Sequence, residues 1–174
     1  MSAKLDLMLD LETMGNGSRA AIRAIGAVFF DKTGLEEPAF YVKVDLQSCV
    51  DAGLEMDVDT VLWWLGQSED ARAEMRAGGG MSLAEALMEF RRFIGGREVR
   101  VWGNGASFDN AIMASAHRAV RLPLPWKFWN DRCYRTMKAL RPEVKLSRDG
   151  THHNALSDAR SQAMHLAMIW RDVA

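Results

Sequence analysis

The stretch that decides the fold is Leu-Asp-Leu-Met-Leu-Asp-Leu-Glu-Thr, residues 5–13. Leucine recurs at every second position, which is the period of a β-strand, because successive side chains of a strand point to opposite faces. Asp10 and Glu12 are two residues apart and therefore share the face opposite the leucines. Asp6 shares that face but lies roughly 13 Å from Asp10 at about 3.3 Å per residue. We therefore predict that Asp6 is a separate, strand-edge acid.

Three more stretches outside this strand have strand character. Residues 21–31, Ala-Ile-Arg-Ala-Ile-Gly-Ala-Val-Phe-Phe-Asp, predict a second strand, and the turn at 32–34 leads to a third strand around Phe40–Val44. Residues 98–103, Glu-Val-Arg-Val-Trp-Gly, predict a fourth. The short turn between the second and third strands indicates an antiparallel meander at the start of the chain.

Most of the remaining chain has helical patterns. The clearest begins at Ser82, places its apolar residues on one stripe as far as Ile94, and ends at Gly95-Gly96. Other helices are expected from Asp59 or Thr60 to Leu65, Ser68 to Arg76, Phe108 to Val120 behind a Ser107 N-cap, Asp131 to Leu140, and about Asn154 to Asp172, with an extended piece at 126–129 and a polar loop at 141–152. Strands first, then strand–helix alternation, predict an α/β fold: a mixed β-sheet flanked by helices.

Length and composition are those of an ordinary globular protein. The 174 residues, 48% apolar and 26% charged, predict a single domain spanning 1–174. No apolar run approaches the roughly 20 residues that a membrane helix needs, and the first twelve residues carry acids where a signal peptide is apolar. Cys49 and Cys133 have no paired spacing, so we expect reduced thiols and a cytoplasmic location without membrane contact.

The net charge of −1 conceals a lopsided distribution. Residues 1–90 hold 7 Lys and Arg against 16 Asp and Glu, whereas residues 91–174 hold 15 against 7. Within 117–148 there are nine basic residues and two acidic ones. This surplus could face a phosphodiester backbone, or it could be a solvated helical face.

Two further acids stand at corresponding places in the predicted elements. Asp109 follows the fourth strand after a turn that contains Gly103 and Gly105, and Asp158 lies in the first turn of the last helix. Taken alone, either acid could be explained by its favourable interaction with the positive, N-terminal end of a helix dipole. Together with Asp10 and Glu12, which end the predicted leucine-rich strand, they predict bound cations, because an unpaired buried acid is costly.

His153 lies at the junction of the polar loop and the last helix, where Asn154 can act as the N-cap. The unperturbed pKa of an imidazole, about 6.5, suits a histidine in this place to accept a proton from water near neutral pH. His152 is interpreted as its exposed neighbour, and His117 and His165 as structural residues.

These residues resemble the three motifs of the DEDDh subgroup of DEDD 3′→5′ exonucleases, enzymes with an RNase H-like fold. Asp-x-Glu-Thr is found at Asp10–Thr13, Asn-x-x-x-Phe-Asp at Asn104–Asp109, and His-x-x-x-x-Asp at His153–Asp158. All three occur in the family's order. The segments 60–72, 101–110, 128–136 and 152–159 are also similar to the short RNase AS-like and phage-type group.

The resemblance implies a role for each of the five motif side chains. Asp10, Glu12, Asp109 and Asp158 would bind two divalent cations, Mg²⁺ or Mn²⁺, and His153 would be the general base. The substrate would be single-stranded DNA or RNA, shortened from its 3′ end to nucleoside 5′-monophosphates. A homodimer is also implied.

Other residues are candidate substrate contacts. Trp63 and Trp64 diverge by about 100° on a helix, so one is expected in the core and the other beside a base. The full set of candidates is Thr13, Met14, Gly15, Trp63, Trp64, Asn104, Phe108 and Arg132.

Three alternatives remain open at this stage. The enzyme could be strictly RNA-specific, like RNase AS, a choice that depends on recognition of the 2′-hydroxyl. It could be a non-catalytic RNase H-like binding module, although all five motif side chains are present. It could also cleave internally, like RNase H or resolvase-type nucleases, which are not expected to carry the His-x-x-x-x-Asp helix.

Overall fold

The computed structural model describes residues 5–76, 78–148 and 153–173. It contains a five-stranded sheet in the order β3-β2-β1-β4-β5, with β1 in the centre. The strands are β1 (Leu5–Thr13), β2 (Ile22–Phe30), β3 (Leu35–Lys43), β4 (Val99–Gly103) and β5 (Asp131–Cys133). The first three form an antiparallel meander, and β4 and β5 run parallel to β1. The expected mixed sheet is therefore confirmed.

Seven α-helices are found in the described part of the chain. They are α1 (Leu46–Asp51), α2 (Val58–Leu65), α3 (Glu69–Arg76), α4 (Leu83–Ile94), α5 (Ala111–Ala119), α6 (Tyr134–Leu140) and α7 (Ala155–Val173). A π-helical turn (Ala106–Asn110) precedes α5, and a 3₁₀ turn (Phe128–Asn130) precedes β5. None of the described helices combines the length and apolar character needed to cross a membrane.

The two faces of the sheet are covered by different helices. The leucines of β1 pack with residues of α4 and α5 such as Phe90 and Ile112, and form the larger core cluster. Met8, on the opposite face of β1, packs with Ala159 and Leu166 of α7. Because side chains alternate along a strand, Asp10 and Glu12 lie on the α7 side of the sheet.

Asp6 is not the strand-edge acid expected from the sequence. It lies on the central strand and is buried. Its carboxylate forms an ion pair with Arg100 and accepts a 2.7 Å hydrogen bond from the indole of Trp102. A buried carboxylate requires such partners, so Asp6 is a structural residue separate from the other acids.

Several expected element boundaries differ. The strand expected at 40–44 begins at Leu35, and α2 begins at Val58, with Asp57 as the N-cap. Gly105, not Ser107, precedes the first turn of the α5 region, and that turn is π-helical. These starting points depend on backbone pairing and loop geometry, which local side-chain patterns do not encode.

The helix expected from Asp131 begins only at Tyr134, because Asp131–Cys133 pairs with β4 as a short strand. The carboxylate of Asp131 accepts hydrogen bonds from Trp126 (2.7 Å) and from Asn110 (2.9 Å). These long-range contacts hold the segment extended. The preceding residues form a 3₁₀ turn where an extended piece was expected.

His117 and His165 are structural, as expected. His117 Nδ1 lies 2.8 Å from the carbonyl oxygen of Met113, and His165 bridges Tyr134 Oη and the carbonyl oxygen of Val144. Both cysteines are free thiols, Cys49 buried and Cys133 half-buried. His152 lies outside the described residues.

Candidate active site

The first two acids of the site come from the end of β1. Asp10 and Glu12 are only 9% and 7% exposed. Gln162 of α7 donates a 2.7 Å hydrogen bond to Asp10 Oδ1. Gln162 belongs to none of the sequence motifs, although it lies one helical turn after Asp158 and so on the same face of α7.

The third acid, Asp109, lies in the helical turn that follows β4. Asp109 is buried, and its Oδ1 accepts a 3.2 Å hydrogen bond from the backbone amide of Leu11. Gly103 permits this approach, because a Cβ at that position would lie 3.0 Å from Asp109 Oδ2. Asp109 Oδ2 is buried without a hydrogen-bond partner among the described residues. Such an orphaned oxygen is the kind of group that a cation satisfies.

The fourth acid is brought in by close contact of α7 with the sheet. A Cβ on Gly26, the β2 partner of Asp10, would lie 2.2 Å from the carbonyl carbon of Ala155. The first turn of α7 therefore rests directly on the strand and carries Asp158 to the end of β1. Asn154 caps this turn, its Oδ1 accepting from the Ser157 amide at 3.1 Å.

The carboxylate of Asp158 has two partners nearby. Arg148 forms an ion pair with its Oδ1, and the backbone amide of His153 donates to its Oδ2 at 3.1 Å. Arg148 stands in the polar loop, where no spacing in the sequence links it to Asp158. His153 itself adopts a left-handed conformation, with φ of 63°.

Three of the five motif side chains lie close together. Ligand atoms of Glu12, His153 and Asp158 all lie within 4.8 Å of one another, close enough to share one metal ion. The carboxylate oxygens of Glu12 and Asp158 are donors of the kind that Mg²⁺ and Mn²⁺ prefer, and the imidazole of His153 lies beside them.

The electrostatics of the site reflect this crowding. Burial, followed by the charges of Asp109, Glu12 and Asp158, raises the pKa of Asp10 well above its ordinary value. Burial, then the charges of Asp158, Asp109 and Glu74, raises the pKa of Glu12 to about 8. Burial also raises the pKa of Asp109 to about 7 against several backbone hydrogen bonds. Acids that are buried and clustered without a cation raise one another's pKa values in this way.

A cleft of about 450 Å³ adjoins the acids. Trp63 is 47% exposed, whereas Trp64 is 4% exposed and donates its indole N–H to the carbonyl oxygen of Thr13 at 2.9 Å. Both rings contact the His153 ring edge to face, with centroids 5.0 Å and 5.7 Å away. The cleft is lined by Leu11, Glu12, Thr13, Asn16, Asp59, Thr60, Trp63, Trp64 and Phe108.

The other candidate contacts have different positions. Met14 is buried, and Gly15 packs against the carboxylate of Asp57, while its carbonyl accepts from the Thr13 hydroxyl at 2.8 Å. Asn104 lines a separate groove, and Arg132 lies on β5, donating to the carbonyls of Trp129 and Asp131. Asn16 lines the cleft without belonging to any motif in the sequence.

A mixed sheet in this order, with four buried acids gathered at the end of its central strand, defines a class: the RNase H-like 3′-5′ exonucleases of the DEDD type. The chain belongs to the family described as the 3′-5′ exoribonuclease Rv2179c-like domain, whose model matches residues 5–170.

Individual relatives agree with this class. An exodeoxyribonuclease of enterobacteria phage T4 is 27% identical over 158 residues, covering 75% of this chain and 69% of its own. The nuclease domain of 3′hExo, a DEDDh family member bound to rAMP, matches with a TM-score of 0.63 at 14% identity, covering 98% of this chain and 94% of its own.

The fold also matches that of E. coli Exonuclease I in complex with a dT13 oligonucleotide. The TM-score is 0.68 at 15% identity over 96% of this chain. The chain spans only 41% of the length of Exonuclease I.

Proposed function

We propose that this protein is a metal-dependent exonuclease that shortens single-stranded nucleic acid from the 3′ end and releases nucleoside 5′-monophosphates. The observation that carries the proposal is the meeting of Glu12, His153 and Asp158 within 4.8 Å, beside the orphaned oxygen of Asp109. We propose that residues 1–174 act as one exonuclease domain.

In this proposal four carboxylates, those of Asp10, Glu12, Asp109 and Asp158, hold two Mg²⁺ or Mn²⁺ ions. When bound, paired ions of this kind stabilise charge on the attacking and departing oxygens of a phosphodiester. The donor set supports this, since the carboxylates are buried and their mutual repulsion falls when a cation is present.

His153 is proposed as the general base that accepts a proton from the attacking water. Its ring is supported by two edge-to-face contacts with Trp63 and Trp64, which restrict how it can turn. The proton passes from the water oxygen to the imidazole, and the water oxygen forms the new bond to phosphorus. The bond between phosphorus and the 3′-oxygen of the shortened strand breaks, and that oxygen takes up a proton from solvent to become the new 3′-hydroxyl.

The cleft beside the acids is proposed to hold the terminal nucleotide. Trp63 and Phe108 offer aromatic surface on which a base can stack. Thr13, with the backbone at Met14 and Gly15, would border the sugar. Contacts from Asn104, Trp64 and Arg132 remain predictions, as does a homodimer.

The sugar preference has two candidate answers. The family description names an exoribonuclease, which favours RNA, whereas the T4 relative is an exodeoxyribonuclease. We therefore propose activity on single-stranded nucleic acid, with strict RNA specificity as the second candidate. A non-catalytic binding role has weaker support, because all five motif side chains are present.

The test uses 5′-labelled RNA and DNA oligomers of identical sequence with Mg²⁺, with Mn²⁺ and with a chelator. We expect a ladder that shortens from the 3′ end, only with metal, and no cleavage of circular single-stranded DNA. The Asp10→Asn variant should lose more than about a hundredfold in rate, because even residues supporting metal ligands cost ten- to a hundredfold. Asp70→Asn, an exposed acid in α3, serves as the matched control.

Three results would contradict the proposal: cleavage that persists in chelator, cleavage of circular substrate, or full activity in the Asp10→Asn variant.

A further inference from the structure

A second depression, of about 650 Å³, lies between α6 and the segment 141–148. Three basic side chains line it, and no acid is among its described lining residues. These basic residues are Arg135, Lys138 and Lys145. A concave surface with charge of one sign concentrates ligands of the opposite sign.

Neighbouring residues connect this groove to the acidic centre at both ends. Asn104 lines the groove, while Phe108 of the same turn lines the cleft proposed for the terminal nucleotide. The guanidinium carbon of Arg135 lies 3.7 Å from the position a Cβ on Gly105 would take, and its positive charge partly offsets the burial that raises the pKa of Asp109. At the other end, the segment 141–148 finishes at Arg148, which reaches Asp158.

The basic side chains of the groove form no ion pair with any acid among the described residues. Nearby Arg141 is paired with Glu143 and Asp172. In contrast, within the described part of the chain, Arg135 and Lys138 form no ion pair, and Lys145 donates to the carbonyl of Pro142 at 2.8 Å. All three are exposed. Their charges are therefore available to a polyanion.

Apart from Asn104, the rest of the lining is apolar. Ala139, Pro142, Val144 and Leu146 form this part, and Val144 packs against the core cluster that includes α7. Apolar surface next to free cations matches the chemistry of a single strand, which presents bases and phosphates side by side.

We propose that this groove holds the phosphodiester backbone of the single-stranded substrate on the 5′ side of the scissile bond. The inference rests on the proposed exonuclease function and adds to it the path of the strand. The terminal nucleotide occupies the cleft, the scissile phosphate meets the acids, and the next phosphates lie against Arg135, Lys138 and Lys145.

The experiment compares a dinucleotide, too short to fill the groove, with a decanucleotide of the same 3′ end. The test variant is Lys138→Ala/Lys145→Ala. The matched control, Arg118→Ala/Arg121→Ala, removes two exposed cations of the same basic stretch that lie outside the groove. The readouts are the ratio of kcat/KM for decanucleotide over dinucleotide and its dependence on salt.

In the test variant we expect the ratio to fall about tenfold. The slope of log KM against log salt for the decanucleotide should decrease by about 1.4, since each phosphate contact on a single strand contributes about 0.7. Lys138→Arg/Lys145→Arg should restore both values, because it keeps the charges.

An unchanged ratio in the test variant, or an equal fall in the control variant, would overturn the groove proposal while leaving the exonuclease proposal in place. If the wild-type protein hydrolyses neither substrate with Mg²⁺ or Mn²⁺, the proposed function itself is wrong, and the groove proposal with it.

Discussion

At the scale of single residues, the guanidinium of Arg148 lies against the carboxylate of Asp158. This carboxylate is one of the four that we propose to bind metal ions. The side chain of Arg148 is 46% exposed, so the ion pair is partly screened by water. Binding of a cation at Asp158 competes with this pair. Arg148 therefore neutralises part of the acidic cluster, and we predict that it is displaced if Asp158 binds a metal ion as proposed.

Replacing Arg148 with glutamine should strengthen metal binding. Partly exposed pairs contribute about 0.2–1 kcal/mol, so we expect a gain of up to about fivefold in Mn²⁺ affinity, measured by titration calorimetry. Arg160→Gln is the matched control, because Arg160 pairs with Glu37 away from the acids. Unchanged or weaker Mn²⁺ binding in the Arg148 variant would contradict this role.

Substitutions of the two adjacent tryptophans of α2 should have different effects, one on substrate binding and the other on the stability of the fold. Trp63→Ala removes exposed cleft surface and should raise KM about tenfold with little effect on folding, since base stacking contributes about 1–3 kcal/mol. Trp64→Ala removes a buried ring and its hydrogen bond to Thr13, and should lower the free energy of unfolding by about 3–5 kcal/mol. Steady-state kinetics and urea denaturation measure the two effects. The reverse pattern would show that the tryptophan roles are exchanged.

At the scale of elements, the docking of α7 on β2 completes the site. The helix supplies Asp158 and Gln162, and its N-terminal junction supplies His153. The position of α7 requires a glycine at residue 26, because a Cβ there would clash with the backbone of Ala155. One glycine on a neighbouring strand thus positions side chains that the sequence places about 130 residues away.

Gly26→Ala should therefore displace the start of α7. Overpacking of this kind costs about 1–3 kcal/mol of stability, and the acids on the two elements would move apart. We expect a lower free energy of unfolding together with weaker Mn²⁺ binding. Gly17→Ala, where a Cβ meets nothing within 4 Å, should change neither. Normal metal affinity in Gly26→Ala would mean that α7 does not fix the site.

Elements with strong local signals were predictable from the sequence. The period of β1, the Ser82–Glu85 capping box with a left-handed Gly95, and the Asn154 cap each lie within a few residues. The strand Asp131–Cys133 and the partners Arg148 and Gln162 were missed. They depend on contacts between distant segments, which local periodicity does not contain. The four acids of the candidate site were predicted because their spacing follows a family pattern.

At the scale of the whole molecule, folding gathers like charges from three regions of the chain into one buried cluster. The pKa of Glu12 rises from 4.5 to about 8, and that of Asp109 from 3.8 to about 7. The folded protein therefore retains protons that the unfolded chain releases. Stability should be highest below the ordinary pKa values and should fall as the pH rises through the raised ones.

Metal-free protein should accordingly melt at a lower temperature at pH 8.5 than at pH 6, by about 2–4 °C for each kcal/mol lost. Adding Mn²⁺ should raise the melting temperature more at pH 8.5, because protons no longer compete for the carboxylates. Scanning calorimetry with and without chelator measures both. The Glu12→Gln variant should show a weaker dependence on pH. Equal or greater metal-free stability at pH 8.5 would contradict the electrostatic account.

The most direct test of the active site is an anomalous diffraction experiment on crystals soaked with Mn²⁺ and a nucleoside 5′-monophosphate. We predict two anomalous peaks about 3.5–4 Å apart among Asp10, Glu12, Asp109 and Asp158, with the phosphate beside them. Manganese density elsewhere, or none within reach of these carboxylates, would contradict the assignment.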